Sequence, residues 1–347
     1  MKQRRGFRRK FLILTLGFFL VFFGSFWVGR YDVSPMQTPR ILLDWFLRRL
    51  SRGTLGLSET WQARQYAVVV NVRLVRVAAA ALVGAALSTA GCAYQGMFRN
   101  PMVSPDLLGA STGAGFGAAL GILLGLGYAA TTALSFAFGL LAVILAYLVS
   151  RVSKMQPALA MVLAGVMISS LFTSGTSFLK LVADTTDQLP AITYWLMGSL
   201  TSVKARDVHF AFWPVAVGLI PLWLLRWRVN LLTVSEAEAR SMGVDTAQLR
   251  VVVVLCATLM TAGSVAVSGM IGWVGLVIPH FARLLFGQDY RRLIPASSLL
   301  GAAFLMVVDD LARTVTTSEV PLGILTSFVG APVFLYLIVS GGTRRGR

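Results

Sequence analysis

Arg226-Trp-Arg-Val-Asn-Leu-Leu-Thr-Val-Ser-Glu-Ala-Glu-Ala-Arg-Ser-Met-Gly243, continuing through Asp245 to Arg250, is a polar island in an apolar chain. Three of the 14 acidic residues, Glu236, Glu238 and Asp245, fall inside it. A connection between two packed helices needs only a few residues, and this one spends about twenty. They are patterned as short amphipathic helices. A membrane protein needs such a segment if a soluble machine is to grip it.

The surroundings settle the class. The chain is 56% hydrophobic and only 13% charged, which excludes a soluble globular domain and a disordered chain. Crossing roughly 30 Å of hydrocarbon takes about 20 mostly apolar residues. Runs of that kind lie near 11–29, 77–98, 107–127, 129–149, 158–180, 208–227, 250–270, 272–287, 294–313 and 321–340. Only a helix satisfies its own backbone in lipid, so the expected fold is all-α and polytopic, with about ten transmembrane helices.

The N-terminus, Met1-Lys-Gln-Arg-Arg-Gly-Phe-Arg-Arg-Lys10, precedes an apolar run too long for a signal peptide, and no small-x-small cleavage site follows it. It reads as a retained first helix with a cytoplasmic start. The net charge of +17 is then mostly positive-inside patterning rather than a nucleic-acid surface. Arg99, Arg151, Lys154, Arg226, Arg228, Arg240, Arg250, Arg291 and Arg292 all fall in connections on the side of the N-terminus, as does the tail with Arg344, Arg345 and Arg347. Both termini are expected in the cytoplasm. A single transmembrane domain is expected over 1–347. It divides into a basic start (1–10), an external loop (30–66), an island of short helices (228–248) and a tail (341–347). The external connection 30–76 is itself basic, which the inside rule does not explain.

Chemistry-bearing motifs are few. No Gly-x-x-x-x-Gly-Lys, Gly-x-Ser-x-Gly or His-Glu-x-x-His occurs, so no enzymatic activity and no cofactor is expected, and any ATP hydrolysis belongs to another polypeptide. Cys92 and Cys256 lie in apolar spans and behave as small hydrophobes. His209 and His280 are isolated. Without clusters of His, Cys and carboxylates, no bare metal ion is expected to bind. Asp309, Asp310 and Arg313 stand near the end of the ninth run. Ionisable groups there are functional candidates: a structural ion pair, a proton relay or a docking surface. Asp309 and Arg313, four apart, share a helix face.

Two patterns bear on packing. Gly109, Gly113, Gly117, Gly121 and Gly125 recur every four residues, which predicts a closely packed inner helix, with a substrate groove as the alternative. The stretch Arg76 to Met97 is echoed by Arg250 to Met270, both ending in Thr-Ala-Gly and then Gly-Met. In the expected topology the copies run in opposite senses, as in transporters built from inverted repeats; chance likeness of two Ala/Val/Gly helices is the alternative.

Gln95-Gly-x-x-Arg-Asn-Pro-x-x-x-Pro-Asp-Leu-Leu-Gly109 closely resembles the signature turn of permeases that import ferric siderophores, haem and cobalamin, the iron-chelate/vitamin B12 permease family of type II ATP-binding-cassette importers. Tyr194-Trp-Leu-Met-Gly-Ser-Leu200, Asn230-Leu-Leu…Glu-Ala-Arg-Ser-Met-Gly243, Gly272-Trp-Val-Gly-Leu-Val-Ile-Pro-His280 and Pro321-Leu-Gly-Ile-Leu-Thr…Gly-Ala-Pro-Val-Phe334 are similar to further family motifs. The resemblance covers residue 68 to the end. It implies a vitamin B12 permease-like fold with ten spans, a second permease subunit, two cytoplasmic ATPases and an external substrate-binding protein. It makes the island the coupling segment, with Glu236, Glu238, Arg240 and Gly243 carried over. Outward-facing arginines that meet a binding protein correspond to Arg73, Arg76 and Arg313, with Val75 where the family usually has proline. The helix Leu163-Ala-Gly-Val-Met-Ile-Ser-Ser170 resembles the pathway-lining one and supplies Leu163, Gly165, Ser169 and Ser170. The expected cargo is an iron chelate, a ferric siderophore first, with haem or cobalamin as alternatives. A proton-coupled secondary transporter using Asp309 and Asp310 is the rival class.

Overall fold

The computed structural model describes the chain apart from residues 1, 53, 55, 58, 59, 235 and 344–347, and apart from the side chains of residues 2–5, 236, 237, 240, 337, 338 and 340–343. Regular structure among the described residues is helical: α1 (Lys2–Gly24), α2 (Gln37–Leu50), α3 (Ala63–Met97), α4 (Ala110–Leu123), α5 (Tyr128–Val152), α6 (Pro157–Val182), α7 (Gln188–Leu196), α8 (Ala205–Leu224), α9 (Glu236–Ser241), α10 (Thr246–Ser268), α11 (Val274–Phe286), α12 (Tyr290–Ala312) and α13 (Leu322–Thr343). By length and composition α3, α5, α6, α8, α10 and α12 can cross a membrane, while α4, α11 and the Leu322–Tyr336 part of α13 are shorter apolar helices.

The apolar runs fall on helices in the expected order, with several changes. The second run starts far earlier than 77, because α3 continues back to Ala63 through a π-wound stretch, Val68–Arg73. The third run is broken. Pro105 opens a 3-10 turn, Pro105–Leu108, and Gly109, at φ +86°, starts α4 afresh. The loop 30–66 contains α2, and α7 interrupts what read as one long connection after the fifth run. Neither has the length of a span, which is why hydropathy passed over both.

Contacts give the chain direction. Ser25, after α1, meets Asp310 near the end of α12, and Arg76, just past the π-wound stretch of α3, meets Asp309. This is the carboxylate end of the molecule. At the opposite, island end, Arg99 meets Leu232 and Asn230 meets Asp289. Helix α3 therefore runs from the carboxylate end to the island end, and α10 and α12 run the other way. The echoing copies in α3 and α10 are antiparallel.

Glycines set the closest approaches. A Cβ on Gly113 would lie 2.4 Å from the Phe138 carbonyl oxygen, and one on Gly117 would lie 2.5 Å from that of Leu134. Gly113, Gly117 and Gly121 thus lie directly against α5, whereas Gly109 and Gly125, expected on the same stripe, lie outside the helix at φ +86° and +65°, where the chain breaks and turns. Lipid gives no hydrophobic drive for helix association, so this close packing supplies the attraction. Between α3, α11 and α12 the contact is tighter still: a Cβ on Gly91 would sit 1.8 Å from the Gly275 oxygen, and one on Gly84 2.2 Å from that of Gly301.

Candidate functional site

Three chain breaks meet inside the bundle. Gly198, after α7, has φ +74°, and Gly269, after α10, has φ +67°. The Leu322 amide donates to the Gly198 carbonyl at 2.8 Å, the Gly323 amide to Met197 at 3.0 Å and the Ser199 amide to Ser268 at 2.8 Å. A Cβ on Gly269 would stand 2.3 Å from the Trp195 oxygen, and one on Gly323 2.5 Å from that of Met197. Backbone groups freed by the broken helices thus satisfy one another, a condition for irregular chain at membrane depth. The junction borders an open groove of about 570 Å³ lined by Met197, Met270, Gly323, Ser327 and Phe328. Discontinuous helices around a cavity are how transporters build a cargo site.

Of the four residues expected to line a pathway on α6, Leu163 and Ser170 lie on its exposed face with Met167, Thr173, Ser174 and Ser177. Gly165 lies on the opposite, packed face, where a Cβ would come 2.3 Å from the Leu107 carbonyl. Ser169 is half-buried at the boundary, beside Gly109.

At the island end, Arg226–Val229 forms a helical turn that passes into a 3-10 turn, Asn230–Leu232, and then α9. Arg99, in the turn after α3, donates from Nε to the Leu232 carbonyl at 2.8 Å and from Nη2 to that of Val234. Asn230 donates to Asp289 at 3.0 Å and accepts from the Tyr290 amide at 2.9 Å. The island is therefore tied to α3 and α12. Ala239 is buried, Gly243 turns the chain at φ +75°, and Asp245 caps α10 by accepting from the Ala247 and Gln248 amides. Glu238 is exposed. The side chains of Glu236 and Arg240 lie outside the described residues.

At the carboxylate end, Arg76 donates to Asp309 at 2.7 Å from Nη2, and to Glu319 at 2.7 Å from Nη1. Arg313 pairs with Asp310, lies 3.6 Å from Asp309 and donates to the Ser25 carbonyl at 3.1 Å. Arg73 donates to the Phe26 carbonyl at 2.7 Å and to that of Tyr31. The three arginines expected to face outward are thus 3%, 5% and 6% exposed for Arg73, Arg76 and Arg313. Arg73 and Arg76 donate to internal acceptors, as does Arg313 through Nη2, while the buried Arg313 Nε has no hydrogen-bond partner among the described residues. Asp310 accepts from Ser25 Oγ at 2.7 Å and so clasps the end of α1 to α12. That gives a structural use to a residue without one in the sequence.

Glu319, in the loop before α13, also accepts from Thr201 Oγ1 at 2.6 Å. Burial alone would raise its pKa, but the Thr201 and Arg76 hydrogen bonds and the arginine charge outweigh it and hold it below the ordinary glutamate range. A depressed carboxylate stabilises the fold above its unfolded value, and that contribution is lost as pH falls through the folded value. Amide exchange in residues 314–320, taken relative to the intrinsic rate at each pH, should therefore quicken on acidification below the glutamate range and stay unchanged at neutral pH. In Thr201→Val the quickening should begin at higher pH; a profile identical to the parent's would refute the link.

Residues 16–340 match the model of the FecCD transport family. The chain belongs to that family. The molybdate import system permease MolB of Haemophilus influenzae is 37% identical over 324 residues, covering 92% of each chain. A Helicobacter pylori (strain 26695) protein named "Probable iron chelatin transport system permease protein" is 41% identical over 271 residues, 78% of this chain and 82% of its own. Other relatives are named for cobalamin import and for hemin transport. A solved structure titled "An inward-facing conformation of a putative metal-chelate type ABC transporter" superposes with TM-score 0.83 at 35% identity, over 95% of this chain and 98% of the other.

The protein is accordingly a multi-pass membrane permease of the ABC-importer type. Cargoes weighed from the sequence omitted the oxyanion for which MolB is named. The junction at Gly198, Gly269 and Gly323 has no signature in the sequence. Its three segments were quoted as separate motifs, and each glycine is ordinary alone; only the fold brings them together.

Proposed function

We propose that this FecCD-family chain is the permease subunit of an importer that carries an iron chelate, a ferric siderophore first, across the cytoplasmic membrane. The observation that carries the coupling half of the proposal is the fastening of the island by Arg99 and Asn230 to two long helices. A push on α9 is passed to α3 and α12 rather than absorbed by a loose loop. A cytoplasmic ATPase would seat against Glu236, Glu238, Arg240 and Gly243, with one ATPase for each of two permease subunits. Both termini then lie in the cytoplasm with the island, in line with the arginines on that side.

Cargo chemistry follows from the groove at the junction. Its lining of Met197, Met270, Ser327 and Phe328 holds no charged side chain. A bare ion would find no charged partner along this groove. A metal already wrapped in its chelator presents a bulky, charge-masked surface that such walls suit, and the same holds for haem or cobalamin. A bare oxyanion, as in the name of MolB, fits these walls less well.

A substrate-binding protein would dock at the carboxylate end. Arg73, Arg76 and Arg313 take part directly only by exchanging internal acceptors for acidic groups of that protein. Otherwise they hold the docking surface in shape. The clasp made by Asp310 and the saturation of Asp309 favour this over a proton relay.

The test is the double variant Glu236→Ala/Arg240→Ala in the reconstituted importer. Uptake of a radioiron-labelled chelate should fall at least tenfold while ATP hydrolysis persists and the thermal midpoint holds. Undiminished uptake would remove the island from the mechanism.

A further inference from the structure

A groove of about 530 Å³ opens at the island end between α1, the end of α8 and the start of α12. Its walls are apolar: Phe7, Phe11, Trp223 and Pro295. Phe7 and Phe11 stack at 5.7 Å, and both meet Phe286 edge-on, at 5.9 and 6.3 Å, so the wall is built rather than adventitious. Its rim is cationic, with Arg226, Arg291 and Arg292 facing one carboxylate, Asp289.

That carboxylate is already committed. It accepts from Asn230 at 3.0 Å, from the Arg291 amide at 3.0 Å and from Arg291 Nε at 3.0 Å. Asp289 therefore offsets Arg291 and leaves the other two charges over. Among the described residues, neither Arg226 nor Arg292 has a carboxylate partner. Arg292 is held in place over the Phe7 ring, 4.8 Å from its centroid. Trp223 and Trp227 are exposed at this level, where indole rings mark the boundary between hydrocarbon and water.

A cleft that is greasy below, doubly cationic above and placed at that boundary matches one ligand class. Acyl chains fit the aromatic walls, and a phosphodiester fits the arginines. We infer that this groove binds the headgroup phosphate of an anionic phospholipid from the leaflet on the island side. The site needs nothing of the cargo reading. It adjoins the Asn230–Asp289 tie, so an occupying lipid would brace the base of the island; that consequence alone rests on the coupling proposal.

The experiment uses the full chain in nanodiscs of phosphatidylcholine doped with phosphatidylglycerol, followed by mild delipidation and native mass spectrometry. Phosphatidylglycerol should be retained in preference to phosphatidylcholine, and Arg226→Gln/Arg292→Gln should lower retention about fivefold for each arginine removed. Arg8→Gln/Arg9→Gln, altering exposed arginines outside the groove, should leave it unchanged. Equal retention of the two lipids, or equal loss in both double variants, would overturn the site. If the glutamine variant does not fold, Arg226→Lys/Arg292→Lys serves instead, and lost retention there with an intact fold counts against a charge-based site. Displacement of the lipid by inorganic phosphate at tens of millimolar would assign the groove to a free oxyanion and overturn the lipid assignment.

Discussion

Arg76→Ala should destabilise the permease by about 3–5 kcal/mol, the usual cost of removing one partner from a buried ion pair. Asp309 is 1% exposed and takes both of its short contacts from this one guanidinium, at 2.7 and 3.3 Å. Arg313 reaches Asp309 only through Nε at 3.6 Å, with Nη2 engaged by Asp310, so it offsets part of the lost charge and not the two hydrogen bonds. Glu319 would lose its arginine as well, and with it the link from the loop before α13 to α3. The thermal midpoint in detergent should drop sharply. The pair Arg76→Met/Asp309→Leu should recover most of the loss, because well-packed apolar groups of similar size often match or exceed a buried ion pair. A stable Arg76→Ala that had lost only its response to a binding protein would mean that the arginine works in docking and hardly in folding.

This cluster marks how far the sequence could be read. Asp309 and Arg313 were recognisable as partners because a spacing of four places them on one helix face. Arg76 and Glu319 are 233 residues before and 10 residues after Asp309, and no periodic rule joins them. Helix class and order were legible because lipid forces apolar runs of fixed length. Breaks such as Pro105–Gly109, and short pieces such as α7, carry no length signal, so their placement had to come from the fold. The island was legible as something to be gripped, whereas its ties through Arg99 and Asn230 join segments far apart in the chain. The stripe on α4 was legible as packing from spacing alone; that its partner is the backbone of α5 was not.

A glycine with a heavier structural burden lies outside that stripe. Gly91→Ala should be among the most damaging single-methyl changes in the chain, because the added carbon would lie 1.8 Å from the Gly275 oxygen and 2.6 Å from its carbonyl carbon. A flexible side chain in the way could rotate, but a backbone carbonyl can yield only if α3 and α11 separate. Gly84 and Gly301 lock α3 to α12 one step along the same helix, so the strain could not be relieved by sliding. Overpacking of an ordinary core costs about 1–3 kcal/mol, and backbone on both sides places this position at or above the upper end. Gly17→Ala is the matched control. It lies in α1 with nothing within 4 Å of the added carbon, and gains up to about 1 kcal/mol of helix propensity. Size-exclusion profiles and thermal midpoints of the two variants in one detergent should therefore move in opposite directions. Equal behaviour would mean that α3 and α11 are not held this close, and with them the broken-helix junction that Met270 and Gly272 join to the start of α11.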